Sequence, residues 1–246
     1  MKQASSVTEY HVWDRSVRWF HWINVLCVLG LMAIGIAILN SKALGITDDG
    51  KILLKTWHVY FGYVFAINLS WRLVWGFLGN RFSRWQAVLP FGAQYKQQKR
   101  AFWAGWKQGK PAEFMGHNPL ARWMVTVLFL LMITMAVTGL VLAGTDVYKA
   151  PFGGQFKAWV AESPATIDQI KPYSDIGIDK EAYKAMRDFR SPFKAIHEIT
   201  FFILLAAVLL HLLAVVVTEL RERNGLVSAM FTGTKVFKDK PVDLDK

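Results

Sequence analysis

Ile196-His197-Glu198-Ile199-Thr200 opens an apolar run that continues through Leu210-His211-Leu212 and ends at Val217. The run, 196–217, is long enough to cross a bilayer as one helix, and it carries two histidines. Hydrocarbon solvates an ionisable side chain poorly, so a histidine at that depth points to a function. The roughly fourteen-residue step between them, at about 100° per residue, returns to within ~40° of the starting direction over a rise of ~21 Å. His197 and His211 are therefore expected on one face of one helix, at two depths of the membrane. They are too far apart to share a metal ion. The spacing suits two separate cofactors, each held by one of them.

The rest of the chain supplies partners. Of its 246 residues 53% are hydrophobic, a membrane-protein composition, and three further apolar runs occupy 19–39, 53–78 and 123–143. The expectation is an all-α integral membrane protein, a four-transmembrane-helix bundle forming a single domain over 1–246. The single cysteine, Cys27, lies inside an apolar run. That excludes a disulfide framework, a cysteine-ligated iron–sulfur cluster and a covalent haem, which needs C-x-x-C-H. Residues 1–18 are polar and show no signal-peptide pattern. Trp13, Trp19 and Trp22 stand where an interfacial aromatic belt is expected.

Formal net charge is +11, and its distribution sets the topology. Residues 81–122 hold eight Lys/Arg against one acid, Glu113, whereas 146–194 hold eight against seven. Basic loops stay cytoplasmic, so the segment 79–122 is expected inside. With four spans both termini then share that side, including the tail 218–246. The loop 144–195 faces outward, into the periplasm of a Gram-negative cell. Within these segments, Trp85, Trp103 and Trp106 among the lysines suggest a stretch along the membrane surface, and 179–189 reads as a short amphipathic helix. No nucleic-acid-reading module is present.

Depth pairs the histidines. His21 starts the first span from inside and His58 starts the second from outside; the fourth span enters from outside, so His197 is outer and His211 inner. Matched levels give His58 with His197 and His21 with His211 as axial iron ligands of two non-covalent b-type haems. Two imidazoles fill both axial positions, as electron transfer requires. The plainer readings are a histidine bonded to a neighbouring helix, or zinc, for which further ligands are lacking at these depths. Gly30, Gly35 and Gly62 would let a macrocycle or another helix approach the backbone. Glu198, beside His197, is either an acceptor for its ring or an interfacial residue. His11, before the first span, reads as surface.

Three further stretches carry a resemblance. They are Val12-Trp13-Asp14-Arg15-Ser16-Val17-Arg18-Trp19-Phe20-His21-Trp22, Arg72-Leu73-Val74-Trp75-Gly76-Phe77-Leu78-Gly79-Asn80-Arg81-Phe82-Ser83-Arg84, and Gly116-His117-Asn118-Pro119-Leu120-Ala121. With the His197/His211 pair they reach all four spans, and the chain resembles the bacterial cytochrome b561 family, specifically the b-type cytochrome subunits of membrane-bound nickel–iron hydrogenases. The resemblance implies a four-helix di-haem protein of the inner membrane that passes electrons between a periplasmic redox partner and the quinone pool. The four histidines match the family's haem ligands. Because 144–195 is longer than such a subunit needs, the partner is open between a hydrogenase small subunit and a c-type cytochrome. Polar residues of similar proteins near the inner haem suggest His117 and Asn118 as quinone contacts. Arg72, inside the second span, could grip a haem propionate or snorkel to the interface. The reading is an electron-transfer subunit in the lipid bilayer rather than a self-sufficient enzyme. The alternatives are a stand-alone quinone-coupled oxidoreductase acting on a small redox species such as superoxide, and a haem-free anchor for a partner complex.

Overall fold

A computed structural model describes residues 7–109 and 112–244; residues 1–6, at the start of the polar N-terminal stretch, lie outside it. The chain runs β1 (Thr8–His11), α1 (Arg15–Leu39), α2 (Asp48–Leu78), α3 (Trp85–Val88), α4 (Gly92–Lys107), α5 (Pro119–Val147), α6 (Gly153–Val160), a 3-10 turn (Pro164–Gln169), α7 (Lys180–Glu222), α8 (Ala229–Thr232) and β2 (Thr234–Phe237). The four apolar runs lie in α1, α2, α5 and α7, which are 25, 31, 29 and 43 residues long. Helices suit hydrocarbon because every backbone donor and acceptor is paired within the segment.

At most 28% of the most apolar window of any of these helices is buried within the protein. Leu26, Ile67, Phe77 and Leu130 are among the large apolar side chains left exposed. In water that surface would be costly; in a bilayer it is the lipid-facing wall. The protein is a multi-pass membrane protein built on four long helices.

The helices are longer than their apolar runs. α1 begins at Arg15 because Asp14 caps it, accepting the Val17 N–H at 2.9 Å. α5 begins at Pro119, after Asn118 accepts the Ala121 N–H at 2.8 Å, so the proline occupies the first turn, where its missing N–H costs nothing. α7 extends most. The amphipathic stretch expected at 179–189 is the beginning of the same helix as the fourth span, with Pro192 inside it.

Two compact units emerge. The first comprises the described residues up to Trp22, Leu69–Leu130 and those from Leu204 on; the second comprises Ile23–Asn68 and Leu131–Ile203. In the first, Val12, Trp13, Val17, Phe82, Met115, Ala229 and Phe237 form a core. Strands β1 and β2 pair antiparallel beside it, Tyr10 opposite Lys235. Trp13, read from sequence as an interfacial residue, is buried here, while Trp19 is 69% exposed. α4 carries basic residues and the exposed Trp103 and Trp106, and buries Tyr95, Gln98 and Phe102.

The second unit holds the whole segment 144–195. That segment is an ordered cap with its own core of Val160, Ile170, Ile178 and Met186. Asp146 on α5 bridges Lys55 on α2 and Arg190 on α7 as a three-membered ion cluster, and Tyr173 lies against Lys55 at 5.4 Å. A carboxylate shared by cations from two other helices fixes the mutual rotation of the three more than it adds net stability.

Candidate functional site

Each expected histidine pair falls inside one unit. His58 and His197 belong to the second, and their ring centroids are 6.3 Å apart with planes at 72°. Metal–imidazole bonds of about 2 Å, with about 1.1 Å more from nitrogen to ring centre, put two axial rings about 6.2 Å apart across one metal ion. The observed spacing fits. His21 and His211 belong to the first unit and lie close enough to interact electrostatically. All four side chains are half-buried. The Nδ1 atoms of His21 and His58 are buried without a hydrogen-bond partner among the described residues.

The surroundings leave room for a flat ligand on the second pair. A Cβ at Gly62, one turn beyond His58, would meet nothing within 4 Å, and one at Gly35 would come within 3.5 Å of the His58 ring. Gly30 differs: a Cβ there would meet the Phe61 ring at 2.9 Å, so this glycine serves helix packing. Among the described residues no three His, Cys, Asp or Glu side chains converge as a metal cage, which a structural zinc centre would need.

His197 has an orienting neighbour that sequence reasoning missed. Its Nδ1 lies 2.8 Å from Thr138 Oγ1 on α5. Glu198, expected as a possible acceptor, instead pairs with Lys194 at 3.3 Å. A signal did exist: Thr134 and Thr138 stand one turn apart in a largely apolar span, and hydroxyls in a span serve as polar contacts between helices.

Arg72 does not snorkel. It is 4% exposed, its Nη2 donates to the Ser83 carbonyl at 3.0 Å, and the guanidinium lies 5.4–6.0 Å from the rings of Trp85, Phe129 and Phe20. Its Nη1 is buried with no partner among the described residues. A charge held that way needs an anion or a very apolar bargain; a carboxylate would satisfy it.

The motifs at either end of the first two spans meet in one polar knot. Asp14 Oδ2 accepts from Trp75 Nε1 at 3.0 Å and Ser83 Oγ at 2.7 Å, while Asn80 Nδ2 donates to the Val12 carbonyl at 2.8 Å. Burial pushes the Asp14 carboxyl up, but the hydrogen bonds from Val17, Ser83, Trp75 and Asn80 outweigh it and hold it below the usual carboxylate range.

His117 packs at a tilt against Trp13, ring centroids 4.9 Å apart and planes at 52°, and its Nδ1 is buried without a partner among the described residues. Burial, with the nearby charges of Lys235, Arg72 and Arg122, pushes its imidazole down to about 3, so the ring is neutral at physiological pH. The unfolded chain takes up a proton near 6.5 that the folded one refuses until about 3. Stability is therefore expected to fall as pH drops below 6.5. Thermal midpoints in detergent between pH 7 and 5 should show this slope, and His117→Phe should flatten it. Asn118 has its Oδ1 committed to capping α5, which leaves only its amide nitrogen for a ligand.

The chain is similar to known proteins along most of its length. A "Probable Ni/Fe-hydrogenase B-type cytochrome subunit" of Cupriavidus necator is 24% identical over 244 residues, covering 96% of this chain and 91% of that one. One of Rhizobium leguminosarum bv. viciae is 25% identical over 244 residues, 94% and 90% of the two chains. A "Probable Ni/Fe-hydrogenase 1 B-type cytochrome subunit" of Escherichia coli K12 is 30% identical over 156 residues, 57% of this chain and 63% of that one. Residues 12–233 match the family described as "Prokaryotic cytochrome b561", and that stretch takes in all four long helices, all four paired histidines and the polar knot. The chain belongs to the prokaryotic cytochrome b561 family, a membrane cytochrome whose prosthetic group is haem b.

Proposed function

We propose that this cytochrome carries two haems, the outer on His58 and His197 and the inner on His21 and His211, and relays electrons between a periplasmic redox protein and quinone. The observation that carries the reading is the 6.3 Å spacing of the His58 and His197 rings; in the other unit His21 and His211 lie within electrostatic reach of each other. A haem iron with two imidazole ligands exchanges one electron and offers no free position for oxygen chemistry. The chain's own residues supply position and charge. Arg72 offers its free Nη1 to a propionate of the inner haem, and the open space at Gly62 accepts the edge of the outer one. His117, neutral and packed against Trp13, offers a ring nitrogen to a quinone carbonyl close to the inner haem, with Asn118 Nδ2 as a second donor.

The topology follows from charge. The basic segment 79–122 and both termini face the cytoplasm, and the structured segment 144–195 faces the periplasm of an inner-membrane protein, where the partner docks. The names of the relatives favour a nickel–iron hydrogenase as that partner. The test is haem per polypeptide on purified protein, followed by oxidation of the reduced protein by a soluble quinone in proteoliposomes. Two haems per chain, with reoxidation slowed at least tenfold by His117→Phe, is the expected result. A colourless protein would overturn the reading.

A further inference from the structure

The Thr138 hydroxyl has one proton, and its first use is local. Oγ1 lies 2.7 Å from the Thr134 carbonyl one turn earlier on α5 and 3.4 Å from that of Met135, the back-bonding geometry of a threonine within a helix. A hydroxyl so committed has only lone pairs left for a third neighbour. That neighbour is His197 Nδ1 at 2.8 Å, which must then be the nitrogen that carries the ring proton. The contact is dry, since Thr138 is 4% exposed, and the ring edge is closely set, because a Cβ on the adjacent Gly139 would stand 3.4 Å from His197 Cε1. Nothing comparable holds His58, whose Nδ1 is buried with no partner among the described residues.

We propose that Thr138 is the positioning residue of the outer haem: by accepting the Nδ1–H of His197 it fixes the tautomer whose Nε2 lone pair is free for iron, and it sets that ring's plane. The inference rests on the reading that His58 and His197 ligate one haem. Two consequences follow. The N–H···O contact makes the imidazole more electron-donating, which favours ferric over ferrous iron and lowers the potential of that haem alone. It also makes the two ligands of one iron unequal, one hydrogen-bonded to a neighbouring helix and one with no such partner among the described residues.

The experiment is a potentiometric titration of purified holoprotein, followed in the visible α band, on wild type, Thr138→Val and Thr138→Ser. Valine keeps the branched shape and removes the acceptor; serine restores it. His58→Ala and His211→Ala assign the two waves. The expected result is that Thr138→Val raises only the wave that His58→Ala lacks, while Thr138→Ser returns it toward wild type. A tenfold change in the ratio of ferric to ferrous affinity reads as about 59 mV for one electron. The low-spin ferric EPR signal, which depends on the angle between the two imidazole planes, should change for the same haem only. Loss of the outer haem in the valine variant, with the serine variant retaining it, supports the same role. Unmoved waves, or movement of the wave that His211→Ala lacks, overturn the role of Thr138. Loss of both haems with a fallen thermal midpoint makes Thr138 a general packing residue and overturns it too. If His58→Ala keeps both waves, the ligand scheme itself has failed, independently of what threonine does.

Discussion

Replacing His58 by alanine is expected to lower the haem content from two per chain to one, and replacing His211 is expected to do the same through the other site. The reason is that each pair is contained in its own unit, His58 with His197 and His21 with His211. On the proposed ligand scheme, removing one imidazole would leave a single histidine to hold the group, a much weaker hold for one bound by no covalent link. The remaining pair keeps its geometry. Pyridine haemochrome content against protein concentration measures the effect, and the double variant His58→Ala/His211→Ala should be nearly colourless. Retention of two haems in either single variant would falsify the pairing by level.

Asp14→Ala is expected to cost about 2–5 kcal/mol of stability, the sum of a lost helix cap and of buried donors left without an acceptor. Four separate groups donate to this one carboxylate: the Val17 N–H at the start of α1, the Trp75 indole near the end of α2, and the Asn80 N–H and Ser83 hydroxyl in the turn that follows. Asn is no remedy, because its amide nitrogen would face donors on one side or the other. The effect also depends on pH. The folded carboxyl sits below its ordinary value of 3.8, so its contribution is fully present above that value and is lost as pH falls through the folded one. Thermal unfolding in detergent, comparing Asp14→Ala and Asp14→Asn with wild type, measures the loss. A drop of less than ~2 °C in either variant would mean that the knot is decoration rather than a joint.

The spans, and the approach of His58 to His197, were legible because both obey a simple geometry. Hydrocarbon thickness fixes the length of an apolar helix, and the helical turn fixes which residues share its face. The ends of the helices were less so. α7 continues 16 residues before the apolar run at 196, from Lys180, because helix-forming residues with polar side chains outside the membrane add no apolar signal. The pairing of β1 with β2 joins residues 8–11 to 234–237, and nothing local in either tetrapeptide announces a partner more than two hundred residues away. Trp13 was misplaced for a similar reason. An indole near a span reads as interfacial, and its burial depends on Phe82, Met115 and Phe237, which arrive from elsewhere in the chain. Thr138 could have been noticed as a polar residue in a span, but its direction toward His197 is a fact of helix rotation that one sequence does not state.

His197 and His211 ride on one unbroken stretch of α7, and the only proline of that helix, Pro192, falls before both. The fourteen-residue interval between them is uninterrupted helix, so on the proposed two-haem reading one backbone segment carries a ligand of each haem, and a change that breaks this segment is expected to disturb both.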